Sequence, residues 1–121
     1  MSSVSLARTR VILVEDHPNL RERIATLLAQ TCDVVGIATD GQSALTAITL
    51  LKPDVVVLDI SLVDMSGLEV GALVRRQESS PRLVFYSAAD DEELRQAVEA
   101  LGRSAFVLKG LVNELVAAVK G

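Results

Sequence analysis

Five polar residues in this 121-residue chain stand at the ends of apolar runs. Glu15 and Asp16 follow "RVILV", Asp59 follows "DVVVL", Ser87 follows "RLVFY" and Lys109 follows "SAFVL". An ionised carboxylate needs partners or water. An apolar run that closes on one either delivers it to a wet edge or carries it by structural accident, and the other strand ends favour the first. Three carboxylates gathered there repel one another, and a hard divalent cation resolves the repulsion. Mg²⁺ suits such a set because it takes a few carboxylate oxygens plus waters and a phosphate oxygen. Lys109 adds a further positive charge. The chain has no Gly-rich, lysine-containing loop that would cradle a nucleotide's phosphates, which favours a single phosphoryl group as ligand. A carboxylate can accept that group as a nucleophile and become an acyl phosphate. Positioning and charge neutralisation by metal and ammonium would then carry the catalysis.

These side chains meet only if the runs that carry them are parallel strands ending on one edge. Two periods alternate along the sequence. "RVILVED", "CDVVGIA", "PDVVVLD", "PRLVFYSA" and "SAFVLK" read as short, continuous apolar strands, as expected where both faces of a sheet are covered. Helical spacing fills the gaps between them. Leu20, Ile24, Leu27 and Leu28 share a face after Pro18. Ala44, Ala47, Ile48 and Leu51 share one after a candidate N-cap at Asp40. Leu68, Gly71, Ala72 and Arg75 form a third stripe, with Gly71 small enough for close packing on the sheet. Leu94, Ala97, Val98 and Leu101 form a fourth, between a cap at Asp90 or Asp91 and a C-cap at Gly102. Val112, Leu115, Val116 and Val119 form the last. Five strands alternating with five helices predict a doubly wound α/β sandwich with right-handed crossovers and helices on both faces. The second strand ends in no comparable polar group, as an edge strand would, consistent with the order 2-1-3-4-5.

Composition narrows the class. The length fits one domain, and half the residues are hydrophobic, with two Phe, one Tyr and no Trp. A net charge of −4 gives no broad attraction to nucleic acid or anionic membrane. The single cysteine, Cys32, rules out an internal disulfide and a Cys-based zinc site, and reads as a small packed residue. The apolar runs fall far short of the ~20 residues of a membrane helix. Residues 1–9 read as a short disordered leader without secretory character, residues 10–121 as the domain, and the cytoplasm as its expected compartment.

"VILVEDHP", "VVVLDISLVDMSGLE", "VFYSA" and "AFVLK", in this order and spacing, resemble the receiver domain of two-component response regulators from Arg10 to Val119. The resemblance implies a phosphoacceptor role for Asp59, with a sensor histidine kinase or phosphotransfer protein as donor. It implies Mg²⁺ held by Asp16, by Glu15 through water, by Asp59 and by the backbone carbonyl of Ser61. Ser87 would bind a phosphoryl oxygen, Lys109 would pair with the phosphoryl group, and the ring of Phe106 would follow the state of Ser87. The fourth helix, fifth strand and fifth helix would then change their preference for an output domain, a partner or a second copy. The acid–His–Pro sequence at His17 is frequent in members with DNA-binding output domains; His17 itself reads as a helix-lead residue.

Two positions depart from the family pattern. Val63 stands where proline is common, and Gly110 follows the lysine where proline is common. The small side chains at Ser61 and Ala89 would flank the phosphoryl group and give an aspartyl phosphate of intermediate lifetime. Two other classes remain for comparison. An aspartate-nucleophile phosphohydrolase would carry a second acid two residues after the nucleophile, where this chain has Ser61. A phosphorylation-independent binding module on the same fold would be expected to lack Asp16, Asp59 or Lys109, and all three are present.

Overall fold

The computed structural model describes residues 8–121, so most of the expected leader lies outside the described residues. Its elements alternate strictly: β1 (Arg10–Val14), α1 (Pro18–Ala29), β2 (Asp33–Ala38), α2 (Gly41–Leu51), β3 (Val55–Asp59), α3 (Gly67–Arg75), β4 (Arg82–Ser87), α4 (Glu92–Leu101), β5 (Ser104–Leu108) and α5 (Val112–Lys120). The strands form one parallel sheet in the order β2-β1-β3-β4-β5, as the sequence predicts.

Strand alternation sends successive side chains to opposite faces, and each face has its own core. Ile12, Val14, Val56, Leu58, Leu83 and Phe85 pack with α2, α3 and α4 residues such as Ile48, Val74 and Val98. Val11, Leu13, Val55, Val57, Val84 and Tyr86 pack with Ile24 and Leu28 of α1 and Leu115 and Val119 of α5. Every residue of β3 is buried. Burying each Val or Leu there contributes about 1.5–3 kcal/mol, which is what holds Asp59 at the end of a rigid strand.

The predicted caps resolve at Asp40, whose side chain accepts from the Ser43 amide, and at Asp91, which accepts from Glu93 and Leu94. Asp90 instead pairs with Arg95 at 2.7 Å. Gly102 ends α4 at φ 71°, in the left-handed region that glycine adopts freely. One stripe is corrected. The core face of α3 is Val70, Gly71 and Val74, while Ala72 is exposed. Gly71 does allow the close approach expected of it, since a Cβ there would sit 2.8 Å from the Phe85 ring. Arg75 lies on the flank of that stripe, where its guanidinium meets backbone carbonyls and not the core.

Candidate functional site

The strands end on one edge, and there the predicted acids converge. Glu15 still extends the β1 ladder, its amide donating to the Ala38 carbonyl at 3.0 Å, whereas Asp16 turns out to solvent. Glu15 is fully buried and Asp59 is 2% exposed. One carboxylate oxygen from each of Glu15, Asp16 and Asp59 lies within 4.8 Å of the others. Lys109 supplies the counter-charge: its Nζ donates to Asp59 Oδ2 at 2.9 Å and stands 3.9 Å from Glu15 Oε1. The Ser61 amide donates to Asp59 Oδ1 at 2.9 Å, and the His17 amide donates to Glu15 Oε2 at 2.9 Å. His17 is the N-cap of α1 through its backbone alone, with no side-chain cap bond, in keeping with a helix-lead role.

Two residues here escaped the sequence reasoning. Tyr86, buried in β4, donates its hydroxyl to Glu15 Oε1. Burial pushes its phenol far above the ordinary value, and the Glu15 hydrogen bond and the neighbouring carboxylate charges push the same way. A phenol in a buried strand must find a polar partner, which was the available signal. Asp64 is the second. Its Oδ1 accepts from the Gly41 amide at 2.7 Å and its Oδ2 from the Gln42 amide at 3.0 Å. Asp64 and Asp40 thus satisfy the first three amides of α2 between them, and the Gly41 bond leads in holding the Asp64 carboxyl below its ordinary range.

The Asp64 clasp bears on the loop from Ile60 to Ser66, which carries Val63 in place of the common proline. Val63 is 77% exposed and takes no part in the loop's fastening. The loop is closed by a Ser61–Ser66 bridge and by the Gly67 amide on the Ile60 carbonyl at 2.7 Å. A Cβ on Gly67 would lie 2.3 Å from the Asp59 carbonyl oxygen, so only glycine lets α3 begin this close to Asp59. At the second departure, Gly110 has φ +96°, which a proline ring cannot adopt.

Ser87 and Phe106 are placed beside the cluster without touching it. Asp59 pairs in register with Tyr86, so Ser87 lies one residue further along. Ser87 is 5% exposed, and its Oγ accepts from the Ala89 amide at 3.1 Å. Ser61 and Ala89 are exposed on either side. Phe106 is half-buried in β5, with the Arg95 guanidinium 4.5 Å from its ring centroid.

The donor set fits a hard divalent cation. It is all oxygen, carries three carboxylates against one ammonium, and opens to solvent at Asp16. Mg²⁺ dehydrates reluctantly and uses one or two carboxylates plus waters, which an open, partly exposed trio allows.

The chain belongs to the response regulator receiver domain family, whose family model matches residues 11–120; it is a receiver domain of a two-component response regulator. It is 36% identical over 122 residues to the "probable transcriptional regulatory protein NarL" of Mycobacterium tuberculosis, covering 98% of this chain and 56% of that protein. It is 34% identical over 108 residues to the nitrate/nitrite response regulator protein NarL of Escherichia coli, covering 86% of this chain and 49% of that one. The chain therefore spans about half the length of these relatives. The solved signal receiver domain of NarL from Mycobacterium tuberculosis superposes with a TM-score of 0.85 at 33% identity, over 95% of this chain and 98% of that one. Among the described residues no helix is long and apolar enough to cross a membrane.

Proposed function

We propose that this domain is a phosphorylation switch that takes a phosphoryl group onto Asp59 from the phosphohistidine of a kinase or phosphotransfer protein. The observation that carries this reading is the pairing of Asp59 with Lys109 at the end of a buried strand, inside a carboxylate trio with oxygens within 4.8 Å. In the transfer, an Asp59 carboxylate oxygen forms the new bond to phosphorus. The bond from phosphorus to the donor's imidazole nitrogen breaks, and the imidazole leaves with the electron pair. Asp16, Glu15, Asp59 and the Ser61 carbonyl would hold Mg²⁺, which neutralises charge on the phosphoryl oxygens when bound. Lys109, already on Asp59 Oδ2, passes to a phosphoryl oxygen, and the Ser61 amide keeps Oδ1 oriented.

Ser87 then turns its hydroxyl proton to the phosphoryl group, and Phe106 moves into the space released. Moving the ring gives up the Arg95 contact, which is worth about 0.5–1 kcal/mol at an exposed site. A cost that small keeps the two ring positions close in free energy, which suits a two-state equilibrium that phosphorylation biases. The face built from α4, β5 and α5 would carry the change to an output domain or a second copy. Relatives named as a transcriptional regulatory protein and as a DNA-binding response regulator support a DNA-binding output. Small side chains at Ser61 and Ala89 support an aspartyl phosphate of intermediate lifetime. The phosphohydrolase reading gains no support, since Ser61 offers no second acid. The test is incubation with a small phosphodonor and Mg²⁺, followed by intact mass. The wild type gains one phosphoryl group and Asp59→Asn gains none; a wild type that gains none from any donor overturns the proposal.

A further inference from the structure

Tyr86 lies against the acid cluster but has no part in the transfer scheme above. It is 1% exposed and sits opposite Asp59 in the β3–β4 register. Its ring faces the α1 and α5 side of the sheet, and its hydroxyl donates to Glu15 Oε1. Glu15 is itself fully buried, with Oε2 already accepting from the His17 amide at 2.9 Å. Lys109 Nζ stands 3.9 Å from that same Oε1 and 2.9 Å from Asp59 Oδ2. Tyr86 and Lys109 therefore converge on one carboxylate oxygen, with the phenol in hydrogen-bond range and the ammonium held back at 3.9 Å. While the phenol holds it, the ammonium is left to Asp59.

Removing the hydroxyl alone would orphan a buried, charged acceptor, and an unsatisfied group of that kind is costly. The nearest cation able to satisfy it is Lys109. The ammonium also lies 5.4 Å from the Tyr86 ring centroid, and a phenylalanine would keep that aromatic face. We propose that Tyr86 is a positioning residue of the phosphoacceptor site: its hydroxyl occupies Glu15 Oε1 and thereby assigns Lys109 to Asp59. Without it, Lys109 moves onto Glu15, where it withdraws from the phosphoryl position and competes with a cation for the carboxylate. This inference rests on the phosphoacceptor reading.

The test is a double-mutant cycle read by Mg²⁺ affinity in calorimetry, with the metal alone as probe. Tyr86→Phe weakens Mg²⁺ binding about ten-fold, the lower end for loss of a residue that orients a metal ligand. In a Lys109→Ala background the same substitution changes affinity less than about two-fold, because no ammonium is left to redirect. Equal losses in both backgrounds, or no loss in the wild-type background, overturn the proposal. A second reading uses the wild type only. Tyr86 is the chain's one tyrosine and there is no tryptophan, so any near-UV tyrosine difference spectrum comes from this ring. That spectrum should change with Mg²⁺ and saturate with the calorimetric isotherm; an unchanged spectrum at saturating Mg²⁺ overturns the proposal. A wild type that binds Mg²⁺ but never gains the phosphoryl mass overturns the phosphoacceptor reading instead, and leaves the outcome of the Tyr86 cycle standing.

Discussion

The two edges of the sheet handle charge in opposite ways. At the edge where the strands begin, arginines answer the carbonyls at the helix C-termini. Arg8 donates to Ala29 of α1, Arg10 to Leu51 and Lys52 at the end of α2, and Arg82 to Ala118 and Val119 of α5. Arg75 does most, reaching the carbonyl of Leu101 at the end of α4, those of Gly102 and Arg103 just beyond it and that of Pro81 before β4. Each places a cation on the negative end of a helix dipole and satisfies carbonyls left without partners inside the helix. At the edge where the strands end, three carboxylates meet the Lys109 ammonium, with the Arg21 guanidinium on the Glu15 and Asp16 carbonyls. The first edge is satisfied by the chain itself. The second keeps surplus negative charge that an incoming cation can balance, and that difference separates a structural end from a functional one.

Substitutions at the two edges should therefore have opposite signs. The largest effect on the metal-free chain is expected at Arg75→Met, which keeps the apolar stem and removes the guanidinium. Stability should fall by about 2 kcal/mol, given several charge-assisted bonds at a partly exposed site, read as a lower urea midpoint, with Mg²⁺ affinity unchanged. Asp16→Asn should do the reverse. Removing one repelling charge raises metal-free stability by about 1 kcal/mol. Mg²⁺ at a hundred times its dissociation constant should stabilise the wild type by about 2.7 kcal/mol, and this variant should lose most of that protection. Equal destabilisation at both edges in a thermal melt would erase the contrast.

The smallest effect is local. Asp64 titrates below its ordinary 3.8 in the folded chain, so the unfolded chain takes up the proton more readily. Its clasp on α2 is complete above pH 3.8 and is lost as pH falls below that value through the folded one. Exchange protection of the Gly41 and Gln42 amides should decline across that acid window, and Asp64→Asn should remove that pH dependence.

Much of this was legible in the sequence because parallel strands are continuous apolar runs and their polar ends are conspicuous. Glu15, Asp16, Asp59 and Lys109 could be gathered from strand ends alone, and the bare end of the second strand was consistent with an edge position, whereas the full strand order came in part from the resemblance to receiver domains. What stayed hidden depends on side chains reaching far along the chain. Tyr86 and Glu15 are 71 residues apart, and Tyr86 reads in sequence as one more apolar member of β4. Asp64 lies 23 residues from Gly41, in a loop whose composition suggests only a turn. Arg75 and Ala72 were assigned to a core stripe by helical period. The period and the close approach at Gly71 are right, but the buried stripe runs through Val70 and Val74, so its phase lies one residue earlier.

Gly67 has a mechanical consequence. With the start of α3 pressed on the Asp59 carbonyl, the wall of the site formed by residues 60–67 is a footing, cross-linked by the Ser61–Ser66 bridge and the Asp64 clasp. The facing wall, from Ser87 to Asp91, is held by the Lys109 amide on the Ser87 carbonyl, by the Ala89 amide on the Ser87 hydroxyl and by Asp90 on Arg95. The firmness of the 60–67 wall thus follows from a single residue without a side chain, Gly67.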